Sequence, residues 1–549
     1  MKKGFLLSAV WLTVTAGWGQ NIESAWSDPA TPAINRPASR TRFIAYNRRE
    51  DAETFSFEKS PFYLSLNGAW NGENGRSTRF PGHWATASAD EMKGLQPPAL
   101  PAENPVARFS KTIDVPVLWL DRAVFVHIGG LQPGGTLYVN GRAAGYSEDS
   151  GAPVEFDISE YITDGQNTLT LEFHKWTTGA WLENNLLTGS GVVGEVYVYS
   201  QPKIHIQDFQ ISATLDSTLA RGVFAIDIIA TNGFNNTEKA QFWFDLEDAQ
   251  GKVVKYSYKE IEIAGRSCDT IRFEYPVGAV KAWSAESPNL YQVILRTNYG
   301  GRFREYIPFK VGFRQLDYRK GNWCINGKPI VFKGVNYTTT AVATDEKMMR
   351  DDLLHLKRAN VNAIRVGYHP MKARLQELCN ELGLYVCDEA NLDSSLTGES
   401  LAVGGTLGNN PAWLKSHLFR VENSVQASRN YPCVVMRSLG GRAGEGYNIY
   451  RAYGRMKELE SLLPVAYEQA KNHWNTDVFF PADPSEEVME NWEANADTRI
   501  FLYSDLSKEG SATIMKLQNN RRTAHKFQGG FMSAPDDEAL KSFYGKPAY

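Results

Sequence analysis

The sequence has few cysteines, no recognisable metal-ligand spacing and, after its first residues, no long apolar run. Five cysteines are scattered over 549 residues, which excludes a disulfide framework, and the odd count leaves at least one thiol unpaired. Neither a CxxC nor an HxxxH pair occurs, so the usual spacing of a zinc site is absent. No later segment reaches the ~18 consecutive apolar residues of a membrane-spanning helix. We therefore expect a soluble protein without a membrane span.

An excess of charge of one sign is missing as well. The chain carries 58 Lys and Arg against 62 Asp and Glu, a formal net charge of -4, which gives no reason to expect nucleic acid as a partner. The short basic cluster of Arg521, Arg522 and Lys526 is predicted to be a solvated helix face. With 42% hydrophobic and 22% charged residues, the composition is typical of a folded protein. Its length suits about three domains.

The N-terminus has the pattern of a secretory signal peptide. Lys2 and Lys3 precede the apolar stretch Phe5–Val14, and small residues follow at Gly17 and Gly19. We predict that residues 1–19 are removed after export, so that the mature protein lies in a periplasm or outside the cell. No cysteine follows the predicted cleavage site to carry a lipid.

The first half of the mature chain is strand-like. Residues 20–200 contain short alternating runs such as "GTLYVNGRAAGYSED" and "NTLTLEFHKW", broken by Gly, Asn and Asp, which is typical of antiparallel sheets packed as a sandwich. A second all-β block covers residues 201–313, and its length of roughly 110 residues suits one immunoglobulin-like sandwich.

From residue 314 to residue 549 the pattern changes to strands alternating with amphipathic helical stretches such as "DEKMMRDDLLHLKRAN". Eight strands, most of them followed by a helix, predict a (β/α)₈ TIM barrel. The predicted strands are Pro329–Asn336, Ala363–Tyr368, Leu384–Ala390, Cys433–Gly440, Pro464–Tyr467, Val478–Pro481, Arg499–Ser504 and Phe527–Met532. Barrel enzymes hold their working residues just past the C-terminal ends of the strands. Arg442, Asp483 and Asp505 occupy such places.

Seven segments, in order, carry a resemblance to a known family. They are "ENPVARFSKTIDVP", "VNGRAAGYSEDSGAPVEFDIS", "GFRQLDYRKGNWCINGKPIVFKGVN", "NVNAIRVGYHP", "LGLYVCDEAN", "RNYPCVVMRSLGG" and "QGGF". The chain resembles the β-galactosidase branch of glycoside hydrolase family 2. The resemblance implies a jelly-roll sugar-binding domain over residues 20–200, an immunoglobulin-like domain and a catalytic barrel. It also implies retaining β-glycoside hydrolysis by two carboxylates about 5 to 5.5 Å apart.

The catalytic positions that the resemblance assigns have changed. The family's acid/base glutamate follows an asparagine after the fourth strand, and these two positions correspond to Gly441 and Arg442. A guanidinium with a pKa above ~12 can neither donate the proton that the leaving group needs nor accept one from water. The nucleophilic glutamate corresponds to Asp505, whose shorter side chain would hold the charge further back. We hypothesise that Arg442 and Asp505 face each other as an ion pair.

Other positions that line the family's pocket also differ. The two glutamates and the histidine that bind magnesium correspond to Asp393, Ser395 and Arg442, so we expect the metal site to be lost and no cofactor to be bound. The remaining differences are Asp483 for a tyrosine, Ser533 for a tryptophan on which a sugar ring could stack, and Lys508 for a histidine. Arg365 and Asn391 match.

Further residues are candidates for the pocket. Tyr368 and His369 follow the second strand, and His369 is interpreted as a core or rim residue rather than a catalyst. Trp176 and Trp181 flank the jelly-roll loop nearest the pocket and are candidate stacking platforms. Three glutamates near strand ends could replace the lost acid but are interpreted as solvated loop carboxylates; they are Glu445, Glu468 and Glu509.

Three functions remain open. The first is a secreted, catalytically impaired or inactive relative of β-galactosidase that binds a β-linked glycan or serves as a scaffold with an envelope protein partner. The second is an active retaining β-glycosidase that uses Asp505 and a displaced acid. The third is a structural partner protein that binds no sugar.

Overall fold

The computed structural model describes residues 22–549 except 74, 184–187, 320, 340–344, 495–498, 508–526, 534, 536–538, 541–543 and 546–549. The predicted signal peptide, the basic cluster of Arg521, Arg522 and Lys526, and the candidate residues Lys508 and Glu509 lie outside the described residues. No helix within the described ranges is long and apolar enough to cross a membrane. All five cysteines are free thiols, four of them buried.

The N-terminal domain is a sandwich of two antiparallel sheets. The elements are β1 (Ala33–Ile34), α1 (Arg49–Ala52), β2 (Tyr63–Ser65), β3 (Gly68–Gly72), β4 (Ser77–Phe80), β5 (Gly82–Thr86), β6 (Val106–Val115), β7 (Arg122–Gln132), β8 (Gly134–Val139), β9 (Arg142–Glu148), β10 (Val154–Asp157), β11 (Gly165–His174) and β12 (Gly189–Pro202). A seven-stranded sheet has the order β1-β9-β8-β11-β6-β3-β4, and a five-stranded sheet has the order β10-β7-β12-β2 with β5 paired to β12. Alternating apolar side chains such as Trp70, Val126 and Leu171 fill the space between the sheets.

The second domain is a smaller sandwich. Its strands are β13 (Ile204–Leu215), β14 (Arg221–Asn232), β15 (Glu238–Glu247), β16 (Val253–Ile263), β17 (Ser267–Ala279), β18 (Tyr291–Tyr299) and β19 (Arg302–Val311). A three-stranded sheet β13-β14-β17 faces a four-stranded sheet β16-β15-β18-β19, with Phe224, Phe244 and Phe273 between them. Strand β12 continues to Pro202, past the predicted domain boundary at residue 200.

The third domain is a parallel barrel preceded by a small three-stranded sheet. That sheet contains β20 (Leu316–Arg319), β21 (Asn322–Ile325) and β22 (Lys328–Pro329), and the barrel strands are β23 (Phe332–Asn336), β24 (Ala363–Val366), β25 (Tyr385–Glu389), β26 (Val434–Ser438), β27 (Val465–Ala466), β28 (Val478–Phe479), β29 (Ile500–Tyr503) and β30 (Phe527–Ser533). The barrel order is β27-β26-β25-β24-β23-β30-β29-β28. All eight predicted strands are therefore present, with ends that differ by a few residues.

The barrel closes between β27 and β28 without strand pairing in the described residues. The Thr476 hydroxyl fills this seam, because it donates to the carbonyl oxygen of Val478 at 2.7 Å and lies 3.3 Å from that of Val465. The helices outside the barrel are α2 (Glu346–Arg358), α3 (Lys372–Leu382), α4 (Leu414–Ser428), α5 (Tyr447–Leu459) and α6 (Glu486–Ala494). The aspartate Asp345 caps α2 by accepting from the amides of Lys347 and Met348, as N-cap aspartates commonly do.

A buried ionic cluster joins the first domain to the barrel. Arg420 of α4 donates from Nη1 to Glu183 Oε1 at 2.6 Å, and both side chains are almost fully buried. Glu183 also accepts from the amide of Ser150 at 3.0 Å. Because an unpaired buried charge is costly, this cluster fixes how the two domains pack.

Candidate functional site at the barrel mouth

The C-terminal ends of the barrel strands hold an arginine and a carboxylate in direct contact. Arg365, on β24, donates from Nε to Glu389 Oε2 at 2.8 Å, and the Ser438 hydroxyl at the end of β26 donates to the same oxygen at 2.8 Å. Arg365 also stacks over the Phe480 ring, 5.2 Å from its centroid. Adjacent parallel strands end at the same face of the barrel, so these side chains from β24, β25 and β26 meet at its mouth.

A second carboxylate approaches this group from the loop after β27. The Ser504 hydroxyl donates to Glu468 Oε2 at 2.6 Å, and the Ser504 carbonyl accepts from Arg365 Nη1 at 3.3 Å. The interpretation of Glu468 as a solvated loop carboxylate is therefore incomplete, because Glu468 and Arg365 both hydrogen-bond to Ser504. In the sequence, Glu389 lies within the matching segment "LGLYVCDEAN" and is not among the candidate site residues. Its position at the end of an apolar strand is the signal that could have identified it.

Arg442 lies on the loop after β26 and does not have the predicted partner. Its Nη2 lies 3.5 Å from Asp393 Oδ2, and the side chain is 60% exposed. No ion pair joins Arg442 to Asp505, both of which the structure describes, so the hypothesised pairing is wrong. The physical reason is local: the amide of Ser394 donates to the Arg442 carbonyl at 2.9 Å, which brings the loop after β25, and Asp393 with it, against Arg442.

Asp505 is held on the other side of the mouth. Its Oδ1 accepts from the amide of Ser533 at 2.8 Å, and its Oδ2 accepts from the Ser533 hydroxyl at 2.9 Å. Asp483 lies beside it, because the Asp483 amide donates to the Asp505 carbonyl at 3.0 Å. The Asp483 side chain accepts from the amide of Ser507 at 2.7 Å. Ser533, which the resemblance aligns with a tryptophan, thus serves as a hydrogen-bond partner of Asp505.

The residues present do not fit a divalent cation. Of the three positions that the resemblance assigns to magnesium, only Asp393 has a carboxylate. Ser395 offers a neutral hydroxyl, which is a weak ligand for a divalent cation. Arg442 brings a positive charge to 3.5 Å from Asp393. A hard cation such as magnesium requires several oxygen ligands and is repelled by a guanidinium. Within the described ranges no group of three or more His, Cys, Asp and Glu side chains could hold a metal ion.

His369 is buried behind the mouth and is uncharged near neutral pH. Burial, with the neighbouring Lys372, lowers the pKa of His369 to about 4, and its Nδ1 accepts from the amide of Met371 at 3.1 Å. Tyr368 packs against Val193 of the first domain, and burial raises its pKa. Both side chains are buried, which agrees with the interpretation of His369 as a core or rim residue.

Two predicted pocket residues lie at the domain interface. Asn391 donates from Nδ2 to Asp149 Oδ1 at 3.1 Å and to Glu183 Oε1 at 3.0 Å. Trp181 is 1% exposed, donates from Nε1 to the Ala99 carbonyl at 3.1 Å, and packs in one apolar cluster with Leu392 and Leu439. Trp176 is fully buried in the same cluster. The prediction that Trp176 and Trp181 are exposed stacking platforms is wrong, because the first domain presses this segment onto the barrel loops.

Glu445 also differs from its prediction. It is buried rather than solvated, its Oε1 accepts from Asn475 Nδ2 at 3.0 Å, and burial raises its pKa.

Comparison with known proteins assigns the chain to a family. The profile "Glycosyl hydrolases family 2, sugar binding domain" matches residues 58–202, "Glycosyl hydrolases family 2" matches residues 204–314, and "Glycosyl hydrolases family 2, TIM barrel domain" matches residues 316–533. The chain belongs to glycoside hydrolase family 2. The architecture of jelly-roll sandwich, immunoglobulin-like sandwich and TIM barrel is the one predicted for this family member.

Within family 2 the chain is similar to β-galactosidases. It is 31% identical over 495 residues to a β-galactosidase of Priestia megaterium, covering 82% of this chain and 48% of that protein. It is 32% identical over 437 residues to a β-galactosidase of Streptococcus thermophilus, covering 77% of this chain and 41% of that protein. The chain thus spans about half the length of these curated relatives. The crystal structure of Bacteroides uniformis β-glucuronidase has the same fold, with a TM-score of 0.70 at 15% identity over 86% of this chain and 64% of that one.

Proposed function

We propose that this family 2 protein binds a β-linked glycan at the barrel mouth and has little or no hydrolytic activity. The observation that carries the proposal is Arg442, a guanidinium that is 60% exposed and lies 3.5 Å from Asp393 at the position of the family's acid/base glutamate. A group that remains charged at every accessible pH cannot protonate a leaving glycosidic oxygen.

The arrangement of Asp505 adds support. Retaining hydrolysis requires two carboxylates on opposite sides of the scissile bond. The loop of residues 439–446 after β26 carries one carboxylate, Glu445, which is buried and accepts from Asn475. Each oxygen of Asp505 accepts a hydrogen bond from Ser533. Hydrogen bonds to an ionised carboxylate stabilise its charge, and this lowers its basicity and with it its strength as a nucleophile.

The proposal of glycan binding rests on the polar groups that remain. Glu389, Arg365, Glu468 and Ser504 present acceptors and donors at the mouth, and sugar hydroxyls can pair with both kinds of group. The similarity to β-galactosidases favours a β-galactoside as the ligand. The proposal also includes export to a periplasm or the cell exterior, on the basis of the predicted signal peptide, with an envelope protein as a further partner. The proposal includes no cofactor, in keeping with the lost magnesium ligands.

A second candidate is residual hydrolysis with a displaced acid. Glu468 favours it. This carboxylate accepts a hydrogen bond from Ser504, and Ser504 directly precedes Asp505 in the chain. In this alternative Asp505 attacks the sugar and Glu468 supplies the proton.

An assay of nitrophenol release distinguishes glycan binding without hydrolysis from residual hydrolysis. The mature chain is incubated with an activated aryl β-galactoside, and the released nitrophenol is measured. An activated leaving group needs little protonation, so the assay tolerates the loss of the acid and reports on the nucleophile. We expect no release above that of the Asp505→Ala variant. Release that disappears in Asp505→Ala, in variants that melt like the wild type, would establish the hydrolytic alternative instead.

Binding is measured by calorimetry with galactose and a methyl β-galactoside. Saturable binding to the wild type, weakened in Glu468→Gln, supports the proposal, and Leu462→Ala, which changes an exposed side chain on the segment before β27, serves as a control for folding. A protein that melts cooperatively and binds no saccharide would contradict the proposal.

A further inference from the structure

A large cavity, which we call the interdomain cavity, lies where the three domains meet. Its walls come mainly from residues 42–63 of the first domain, strands β18 and β19 of the second domain, and helix α3 of the barrel. Its volume is about 700 Å³, within the range of about 300 to 1,000 Å³ that is typical of small-molecule sites, which often lie between domains. None of the residues that line it belongs to the group of Arg365, Glu389 and Glu468 at the barrel mouth.

Contacts between the first two domains hold one wall of the interdomain cavity in place. The amide of Tyr46 donates to the Tyr306 carbonyl at 2.9 Å, and Arg49 Nη1 donates to Asp245 Oδ2 at 2.7 Å. Both contacts fasten residues 42–63 to the second domain. The cavity is therefore formed before a ligand enters, which lowers the cost of binding.

The charged groups along the walls neutralise one another. Arg42 Nη2 donates to Glu195 Oε2 at 3.1 Å, and Arg42 Nη1 lies 3.6 Å from Glu377 Oε1. Lys310 Nζ donates to Glu381 Oε1 at 3.0 Å. Because each of these cations lies beside a carboxylate, the cavity has no large field of one sign that would attract an anion or a cation.

Several of these polar groups can be reached from the cavity. The side chains of Lys310, Glu195 and Glu377 are 40%, 28% and 23% exposed. A carboxylate accepts several hydrogen bonds and an ammonium group donates three, so each keeps capacity beyond its ion pair. Gln292 is paired with Lys310 across β18 and β19. It is half-buried, and its side-chain amide has no hydrogen-bond partner among the residues that the structure describes. The walls therefore offer both donors and acceptors to a ligand.

Apolar side chains complete the lining. Phe55, Phe57, Tyr63 and Met371 line the cavity and are half-buried. Phe55 has φ +56°, a left-handed backbone that is rare for a bulky residue and costs free energy. Its ring centroid lies 5.0 Å from Lys310 Nζ. The cavity thus brings aromatic rings next to groups that form hydrogen bonds.

We propose that the interdomain cavity binds a neutral saccharide, at a second site that is separate from the barrel mouth. The sugar hydroxyls donate to Glu195 and Glu377 and accept from Lys310. The apolar faces of the sugar rings pack against the half-buried aromatic side chains. This inference does not rest on the proposed function, because no residue of the mouth takes part.

The composition of the walls disfavours other classes of ligand. A phosphate or carboxylate would lie beside Glu195, Glu377 and Glu381, and an amine would lie beside Arg42 and Lys310. An apolar ligand would cover charged groups and leave their remaining hydrogen-bonding capacity unmet. A neutral ligand with several hydroxyls avoids both costs.

Calorimetry of the mature chain with lactose, cellobiose and maltose tests this site. We expect at least one of these neutral disaccharides to bind the wild type. Gln292→Trp should weaken that binding about tenfold or more, because the indole fills the cavity beside Lys310. Gln241→Trp makes the same change on the neighbouring strand β15, outside the cavity, and is the matched control that should bind like the wild type.

A second variant keeps the test valid if Gln292→Trp does not melt like the wild type. Gln292→Leu nearly conserves the volume and removes only the amide, so it should weaken binding about threefold. Glu468→Gln, at the barrel mouth, should leave binding in the cavity unchanged.

The outcomes distinguish the two sites. Binding that is weakened by the Gln292 variants and unaffected by Glu468→Gln upholds the interdomain site, even if the mouth binds no saccharide. Binding that is lost in Glu468→Gln and kept in the Gln292 variants belongs to the mouth and overturns it. Failure of the folded wild type to bind any of the three disaccharides also overturns it. Tighter binding of the anion lactobionate than of lactose would contradict the assignment to neutral saccharides.

Discussion

Glu148 is a carboxyl group whose surroundings favour its protonated form. Burial raises the pKa of Glu148 to about 7, although the hydroxyls of Tyr146 and Thr178 donate to its Oε1 at 2.7 and 2.8 Å. The folded protein therefore binds a proton here that the unfolded chain releases near pH 4.5. The stability that this proton contributes is present below about pH 4.5 and is lost as the pH rises to about 7.

This titration predicts a pH-dependent effect of Glu148→Gln. Glutamine keeps the acceptor oxygen and never ionises. The variant's free energy of unfolding therefore increases relative to that of the wild type as the pH rises. The difference in unfolding free energy should shift in favour of the variant by up to about 3 kcal/mol between pH 5 and pH 8. Urea denaturation at each pH measures it. A difference that is independent of pH would show that Glu148 is ionised in the folded protein throughout this range.

The two arginines of the barrel mouth should differ sharply in their contribution to stability. Arg442→Ala removes an exposed side chain with one contact at 3.5 Å, so the free energy of unfolding should change by less than about 1 kcal/mol. Arg365→Ala leaves the poorly exposed Glu389 without its partner, and the loss should reach about 3 kcal/mol or more. Chemical denaturation of both variants checks this. Similar losses would mean that Arg442 is more tightly held than its exposure indicates.

The sequence predicted which residues lie at the barrel mouth far better than it predicted their hydrogen-bond and ion-pair partners. Arg442 and Asp505 follow apolar strands, and this is enough to place them at the barrel mouth. Arg365 lies within β24 and is singled out by the family resemblance. The partner of Arg442 depends on how the loop after β25 folds, and no periodic pattern encodes that contact. Ser533 was noticed only as a lost tryptophan, and its hydrogen bonds to Asp505 became visible in the structure.

At the scale of elements, strand β12 depends on a glycine where it meets the barrel. Gly194 has φ +72°, and a Cβ added there would lie 2.2 Å from the Pro370 carbonyl oxygen. Gly141 has a similar φ of +77° with nothing within 4 Å of such a Cβ. Both glycines have a left-handed backbone, but only Gly194 is close to another domain. Comparing substitutions at the two positions therefore distinguishes the cost of backbone strain from the cost of the clash between domains.

Gly194→Ala should therefore be clearly more destabilising than Gly141→Ala. The alanine at residue 141 costs about 1 kcal/mol for the left-handed backbone, whereas the one at residue 194 must also move β12 away from Pro370, which we expect to add about 1 to 3 kcal/mol. Thermal melts of both variants provide the measurement. Equal melting temperatures would indicate that the interface yields without cost.

The elements themselves were predictable from sequence because most strands of the barrel contain a short, largely apolar run bounded by polar residues. The runs around β24, β25, β26 and β29 show this most plainly. The segment of Trp176 and Trp181 was misjudged for a physical reason. Its 3₁₀ turn, Thr178–Leu182, has no apolar periodicity of its own, and its burial comes from barrel loops more than 200 residues later in the chain.

At the scale of the whole molecule, the first domain and the barrel share charges that neither could bury alone. Arg420 contacts Glu183 and also lies 3.4 Å from Asp149 Oδ1. Removing one partner leaves the other charge buried without compensation.

Arg420→Met should therefore reduce the free energy of unfolding by about 3 to 5 kcal/mol. In the double variant with Glu183→Gln the loss should be smaller than the sum of the two single losses, because no buried carboxylate remains unpaired at residue 183. Calorimetric melts of the wild type, both single variants and the double variant complete the cycle. Additive losses would mean that the two side chains do not interact.

How the domains pack could not be predicted from sequence, because Arg420 lies on the buried side of an amphipathic helix and its partners are in another domain. The order and type of the domains could be predicted, since each has its own pattern of alternation.

The Arg420–Glu183 pair has a consequence for exchanging parts between family members. A barrel expressed without the first domain would carry a buried guanidinium with no carboxylate to meet it, and a jelly roll grafted from a relative would have to supply Glu183 and Asp149 in register. The first domain and the barrel are therefore expected to be transferable only together, as one unit of exchange, although the chain between them forms a separate sandwich.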